Sequence, residues 1–162
     1  MIPGNKNCDI RNIHWLELTA KNLLTKEAKK NPNILYYETE SSKFEKRRLI
    51  TTGLNGLVIE WDFKSMTPKS KYSCNSAIWD SKMHGKYIYL ACEDGTVKIL
   101  KIKKGKIEFV RSLYKAEARC LSLELLTNGI DENTMVKGLF SAYSDSSFRK
   151  WDLSSGNSIL HF

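Results

Sequence analysis

Apolar and β-branched residues gather in short runs along this chain, and three pairs of runs are joined by tight-turn residues. The pairs read LITTGLNGLVIEWDF at 49–63, IYLACEDGTVKILKI at 88–102 and LFSAYSDSSFRKWDL at 139–153. Each is a strand, a turn and a strand, with Asn55-Gly56, Asp94-Gly95 or Asp145-Ser146 at the turn. A type I′ turn needs positive φ at both central residues, which Asn-Gly and Asp-Gly tolerate best and Asp-Ser less well. Aligning the copies places Trp61, Leu100 and Trp151 at one shared position, followed by Asp62, Lys101 and Asp152. The middle copy therefore has a smaller apolar plug where the others have Trp-Asp. Small residues recur near the ends of the first runs, such as Thr51, Ala91 and Ser141. They let neighbouring sheets approach closely.

A further strand is expected before each hairpin, at 9–17, 76–83 and 119–126, and another after it, at 69–74, 107–113 and 158–162. Four strands per unit, repeated, with Trp-Asp closing a strand, is the pattern of propeller blades, whose period is ~40–45 residues. The predicted fold is all-β, three four-stranded antiparallel sheets forming a partial β-propeller. The predicted units are 9–74, 75–114 and 117–162, within one domain over 1–162. Closed propellers have ~4–8 blades. Three blades predict an open arc, or an edge-to-edge homo-oligomer that pairs the exposed strand edges.

Helix is scarce. LTAKNLLTKEAKK at 18–30 is a helix candidate ending just before Pro32. It lies in an insertion, 18–46, inside the first unit, whose tail carries Lys43, Lys46, Arg47 and Arg48. That segment reads as an arm reaching RNA or a protein, or as a loop with no such role.

Composition adds charge to this picture. The 162 residues carry 26 Lys+Arg against 18 Asp+Glu, a net charge of +8. Such a surplus suits RNA, DNA or acidic protein segments, and equally a plain solvated surface. A second basic stretch holds Lys101, Lys103, Lys104 and Lys106 at a strand end and turn. These lysines could meet phosphate, or could only blunt an exposed strand edge. The apolar fraction, 41%, is enough for a core. No run is long enough to span a bilayer. The first residues lack an apolar signal core, so a soluble intracellular protein with no membrane partner is expected.

Candidate chemistry is thin. Cys8, Cys74, Cys92 and Cys120 form no Cys-x-x-Cys pair, and His14, His84 and His161 are far apart in the chain. Free thiols, no metal site and no cofactor are expected. No nucleophile elbow occurs, and no helix follows Gly53 and Gly56 to make a phosphate loop. The expectation is a non-enzyme. Trp61 and Trp151 could stack on bases. Their shared repeat position points instead to packing.

Several individual segments carry a resemblance. They are Ile2-Pro3-Gly4, Leu54-Asn55-Gly56 with Ile59-Glu60, Ala77-Ile78-Trp79, Cys92-Glu93-Asp94-Gly95-Thr96-Val97-Lys98, Lys106-Ile107-Glu108-Phe109 with Arg111, and Arg119-Cys120-Leu121-Ser122-Leu123. With the Trp-Asp endings, the chain resembles the WD-repeat family and, within it, double-propeller subunits of the small-subunit processome. The family's Gly-His dipeptide is absent, with Asn75-Ser76 and Ala116-Glu117 near its places, so its Asp-His-Ser/Thr-Trp tetrad is incomplete. The resemblance implies a nucleolar scaffold in the nucleus that supports transcription and processing of the ribosomal RNA precursor. Implied partners are other WD-repeat and helical-repeat subunits, the precursor RNA and an associated small nucleolar RNA. The alternative is an adaptor elsewhere, such as a ubiquitin-ligase substrate receptor or a chromatin-complex subunit.

Overall fold

A computed structural model describes residues 10–17, 47–62, 64–103, 105–113, 115–127 and 136–161. The 18–30 helix candidate, the 18–46 insertion with Lys43 and Lys46, Cys8, the Ile2-Pro3-Gly4 segment and Lys104 lie outside the described residues.

Twelve strands form three antiparallel sheets. Sheet 1 holds β1 (Ile10–Glu17), β2 (Arg47–Gly53), β3 (Leu57–Trp61) and β4 (Pro68–Ser73). Sheet 2 holds β5 (Ile78–His84), β6 (Tyr87–Cys92), β7 (Val97–Lys103) and β8 (Lys106–Ser112). Sheet 3 holds β9 (Cys120–Leu126), β10 (Gly138–Tyr143), β11 (Phe148–Asp152) and β12 (Ser158–His161). Each sheet is a meander in chain order, so each strand pairs with its sequence neighbour. No helix occurs among the described residues. The all-β class, with sheets of the kind that make propeller blades, is what the hairpin pattern predicted.

The turns differ from the type I′ expectation. Only the last loop residue is left-handed, with φ of 73° at Gly56, 79° at Gly95 and 69° at Ser146. Each of these donates its amide back three residues, to Gly53, Cys92 and Tyr143. The loops are thus three residues long, a turn followed by one left-handed residue. The Asn and Asp residues are present for their side chains. Asn55 Oδ1 accepts from the Leu57 amide at 3.0 Å, Asp94 Oδ1 from Thr96 at 3.1 Å and Asp145 Oδ1 from Ser147 at 3.0 Å. Such Asx turns need an oxygen at this place, which Asn and Asp share.

Alternation along the middle strands gives each sheet two faces. The leading face bears Leu49, Ile59 and Trp61 in sheet 1, Ile88, Leu90 and Leu100 in sheet 2, and Leu139 and Trp151 in sheet 3. The opposite, trailing face packs on the next sheet. Ile50 and Val58 join Ile88, Leu90 and Leu100 in one buried cluster; Tyr89, Val97 and Ile99 join Leu139 and Trp151 in another. Most of the described core is therefore two sheet-to-sheet seams, and Leu49, Ile59 and Trp61 form a smaller third cluster on the leading face of sheet 1. Gly95 shows how closely the chain folds there: an added Cβ would lie 2.2 Å from the Ala116 carbonyl oxygen.

Candidate interaction surfaces

The blades have polarity, and this sorts the charged residues. Inner strands β1, β5 and β9 run in the same sense, as shown by Arg11 against Trp79, His14 against Ser81, and Asp80 against Leu123. One end of the arc then collects the β2–β3, β6–β7 and β10–β11 turns. The other collects the β3–β4, β7–β8 and β11–β12 turns and the β2, β6 and β10 starts.

This second end holds the described strand residues of both basic sequence stretches. Arg47 and Arg48 begin β2, opposite Glu17 and Leu16. Lys101 and Lys103 end β7, and Lys106 begins β8. Lys64, Lys86 and Lys137, absent from the sequence-predicted set, are exposed at the same end. Lys103 Nζ pairs with Glu108 at 2.5 Å, and the Lys101 ammonium lies 5.2 Å from the Tyr87 ring centre. Asp62 and Asp152 share this end. Both are held below the usual carboxylate pKa, chiefly by Ser65 and Ser154, and stay ionised. Trp61 and Trp151 are 9% and 0% exposed, so neither offers a stacking face.

The first end mixes charges in a chain across all three sheets. Arg11 stacks over Trp79 at 5.5 Å, Trp79 Nε1 donates to Glu93 Oε2, and Arg119 Nε donates to Glu93 Oε1 at 2.9 Å. Beside it, Lys98 Nζ donates to Asp94 Oδ2 and to the Cys74 carbonyl, both at 2.8 Å. Partial burial raises the Asp94 pKa, but Lys98 and Thr96 outweigh it and leave the carboxyl below its usual value. This lysine ties the sheet 2 turn to the end of sheet 1.

Two features escaped the sequence reading. The Trp61 indole donates to Thr51 Oγ1 at 2.9 Å, and the Trp151 indole to Ser141 Oγ at 2.7 Å. Sheet 2 has Leu90 and Leu100 at those two positions. The polar pair or the apolar pair thus occurs as a unit, and aligning the three copies shows it. The second feature is a buried relay between sheets 1 and 2. His14 Nε2 meets Ser81 Oγ at 2.8 Å, and Ser81 Oγ meets Thr52 Oγ1 at 2.9 Å. Burial lowers the His14 pKa below 6.5, with Asp80 opposing and Lys82 adding to the effect.

Ser81, His14 and Asp80 have the residue types of a catalytic triad but not its geometry. Ser81 is 1% exposed, and Asp80 is held by the Ser81 and Leu123 amides at 2.7 and 2.9 Å. A nucleophile needs access and a base oriented by the acid. Cys74, Cys92 and Cys120 are buried free thiols. The Cys92 thiol donates to the Leu90 carbonyl at 3.9 Å; the neighbouring Cys74 and Cys92 thiols push the Cys92 pKa up and the Cys74 pKa down, and burial pushes Cys120 up to about 12. No group of three metal-ligating side chains occurs among the described residues.

No protein-family model matches the chain. Curated proteins from two mammals and a yeast resemble it. The human U3 small nucleolar RNA-associated protein 4 homolog is 33% identical over 88 residues, 52% of this chain. The mouse homolog is 32% identical over 80 residues, 48% of this chain. The yeast U3 small nucleolar RNA-associated protein 4 is 33% identical over 84 residues, 49% of this chain. The matched stretches span 13%, 12% and 11% of these relatives, so the similarity concerns a small part of each.

Proposed function

We propose that this chain acts in ribosome biogenesis as a non-catalytic scaffold element of the nucleolar small-subunit processome. The observation that carries this reading is the likeness, at 32–33% identity, to human, mouse and yeast proteins all named for association with U3 small nucleolar RNA. Sheets of the kind that make propeller blades, with lysines exposed at turns and strand ends, support a role in contact. In this reading the basic end, with Arg47, Arg48, Lys101, Lys103 and Lys106, faces the ribosomal RNA precursor. Its lysines would meet phosphates by charge, since the repeat tryptophans are buried. Lysines act there as point charges without base readout. The mixed-charge end faces neighbouring subunits.

The test is recovery of the tagged chain from cells after crosslinking. Enrichment of ribosomal RNA precursor and nucleolar processome subunits is the expected result. Recovery with ubiquitin-ligase or chromatin subunits instead would overturn it. A direct arm measures binding to a labelled RNA duplex against salt. Replacing Lys101, Lys103 and Lys106 with Ser should flatten the log–log slope by about 0.9 for each phosphate that is no longer neutralised. An unchanged slope would remove the basic end from the RNA interface.

A further inference from the structure

Tyr87 begins β6 at the basic end, two residues before Tyr89 and so on the same, trailing face of sheet 2. It is half-buried and packs against the cluster between sheets 2 and 3. Its ring closes the mouth of that seam, and the Lys101 ammonium caps it, 5.2 Å from its centre. Three exposed lysines share this mouth. Lys86 precedes Tyr87, Lys103 follows Lys101 on one face of β7, and Lys137 leads into β10 from the sheet 3 side. Lys137 is fixed there by the chain around it. The amide of its neighbour Val136 donates to the Tyr89 hydroxyl at 3.3 Å, and its own carbonyl accepts from the Leu153 amide at 2.7 Å. Of the carboxylates at this end of sheets 2 and 3, Glu108 is held by Lys103, and Asp152 by the Ser154 and Ser155 hydroxyls.

We propose that the mouth between sheets 2 and 3 binds single-stranded RNA, with one base stacked on Tyr87 and the adjacent phosphates on Lys86, Lys101, Lys103 and Lys137. The inference rests on the reading of the basic end as the RNA-facing side, and adds a stacking site to it. Lys101 must leave the ring for a base to enter, and magnitudes favour the exchange. A cation over an exposed ring is worth about two- to fivefold in affinity, whereas a stacked base is worth about 5- to 150-fold. The displaced ammonium is then beside the nucleotide, where a phosphate can take it. A duplex keeps its bases in the stack, out of reach of Tyr87, and meets the lysines alone. A carboxylate-rich peptide segment neutralises the same lysines, but its carboxylates bring no flat ring to replace Lys101. Stacking is also tolerant of sequence, since every base has a π-face. The site therefore selects unpaired RNA without selecting a particular base.

The experiment titrates the whole chain with a labelled, unstructured RNA of about ten nucleotides, within the site size of such surfaces. A duplex of the same length is titrated alongside, both over a range of salt. Tyr87→Leu keeps an apolar side chain on the seam and removes the stacking face; Tyr87→Phe keeps both. Tyr87→Leu should weaken the single strand about 5- to 150-fold, the worth of one stacked base, and leave the duplex unchanged. Its salt slope should match that of the unaltered chain, because no phosphate contact is lost. Tyr87→Phe should bind as the unaltered chain does. Equal loss for single strand and duplex, no loss for either, or loss in Tyr87→Phe would overturn the proposal. Should Tyr87→Leu unfold, the unaltered chain is irradiated with a 4-thiouridine-labelled single strand, and mass spectrometry locates the crosslink. A crosslinked peptide containing Tyr87 is expected; crosslinks confined to other peptides would overturn the stacking site. Absence of binding to either RNA would remove both this site and the RNA-facing role of the basic end. Processome membership is read separately, from recovery in cells, so either conclusion can fail while the other stands.

Discussion

The two seams close the same geometric slot with different chemistry. Between sheets 2 and 3 the plug is Trp151, its indole nitrogen satisfied by Ser141, whose hydroxyl also contacts the Tyr143 hydroxyl at 3.2 Å. Between sheets 1 and 2 the plug is Leu100 beside Leu90, with no polar atom to satisfy. There a polar relay runs beside the plug, from Thr52 on β2 through Ser81 on β5 to His14 on β1. A buried donor must have a partner or be absent. Trp therefore comes with a hydroxyl on the paired strand, and leucine comes with leucine. The slot specifies a shape and a closed set of hydrogen bonds, and tryptophan is one of two solutions.

The largest expected effect tests the plugs directly. Trp151→Ala should destabilise the chain by about 3–5 kcal/mol, and Leu100→Ala by about 2–5 kcal/mol. Urea unfolding of each variant measures both. Equal small losses would mean that the seams do not carry the core. A second test concerns the glycines at the turns. At Gly95, φ is 79° and an added Cβ meets the Ala116 carbonyl oxygen; at Gly105, φ is 74° with nothing within 4 Å. Gly105→Ala should cost about 1–2 kcal/mol from the left-handed backbone alone. Gly95→Ala should cost more, because the backbone leading into the next sheet must also shift. Matching losses would show that the seam yields freely at this point.

A smaller effect isolates the polar pair. Ser141→Ala strands the Trp151 indole N–H and should cost about 1–3 kcal/mol. Trp151→Phe removes the donor, so adding Ser141→Ala to it should cost less than Ser141→Ala does alone. The coupling, read from a double-mutant cycle, should fall within about 0.5–3 kcal/mol. Additive losses would separate the hydroxyl from the indole.

Much of this is legible in the sequence. The hairpins, the four strands per unit and the plug positions follow from apolar spacing and turn residues, because both signals are local. The paired change of Thr51 with Trp61, Leu90 with Leu100 and Ser141 with Trp151 is present too, but it shows only once the copies are aligned with faces in mind. The turn conformation departs from the expectation because Asn and Asp suggest backbone freedom, whereas their side-chain oxygens explain them better. The basic stretches read as separate features because their place at one end depends on blade polarity, a property of the sheets and not of either stretch. The His14 relay joins residues 67 positions apart, and no pattern within either strand announces it.

The relay yields the smallest prediction, and it separates the two seams by pH. His14 is on the inner strand of sheet 1, and its ring faces Ser81, with Asp80 and Lys82 the charged groups acting on it from β5. Burial disfavours its charged form and lowers its pKa in the folded chain below 6.5, the unfolded value. The unfolded chain then binds the proton more readily, so stability rises with pH through this range. It is fully present above pH 6.5 and is lost as the pH falls towards the lower folded pKa. The charged form would place a cation near Lys82 while Asp80 is engaged by two backbone amides, so the carboxylate gives only partial relief. Between about pH 7.5 and about pH 5.5 the urea midpoint should fall. His14→Gln should flatten that fall while keeping a side chain able to reach Ser81. The difference should survive Trp151→Phe, which alters only the other seam. If His14→Gln leaves the pH profile unchanged, the relay holds its proton state too weakly to matter, and the contrast between the seams reduces to their plugs.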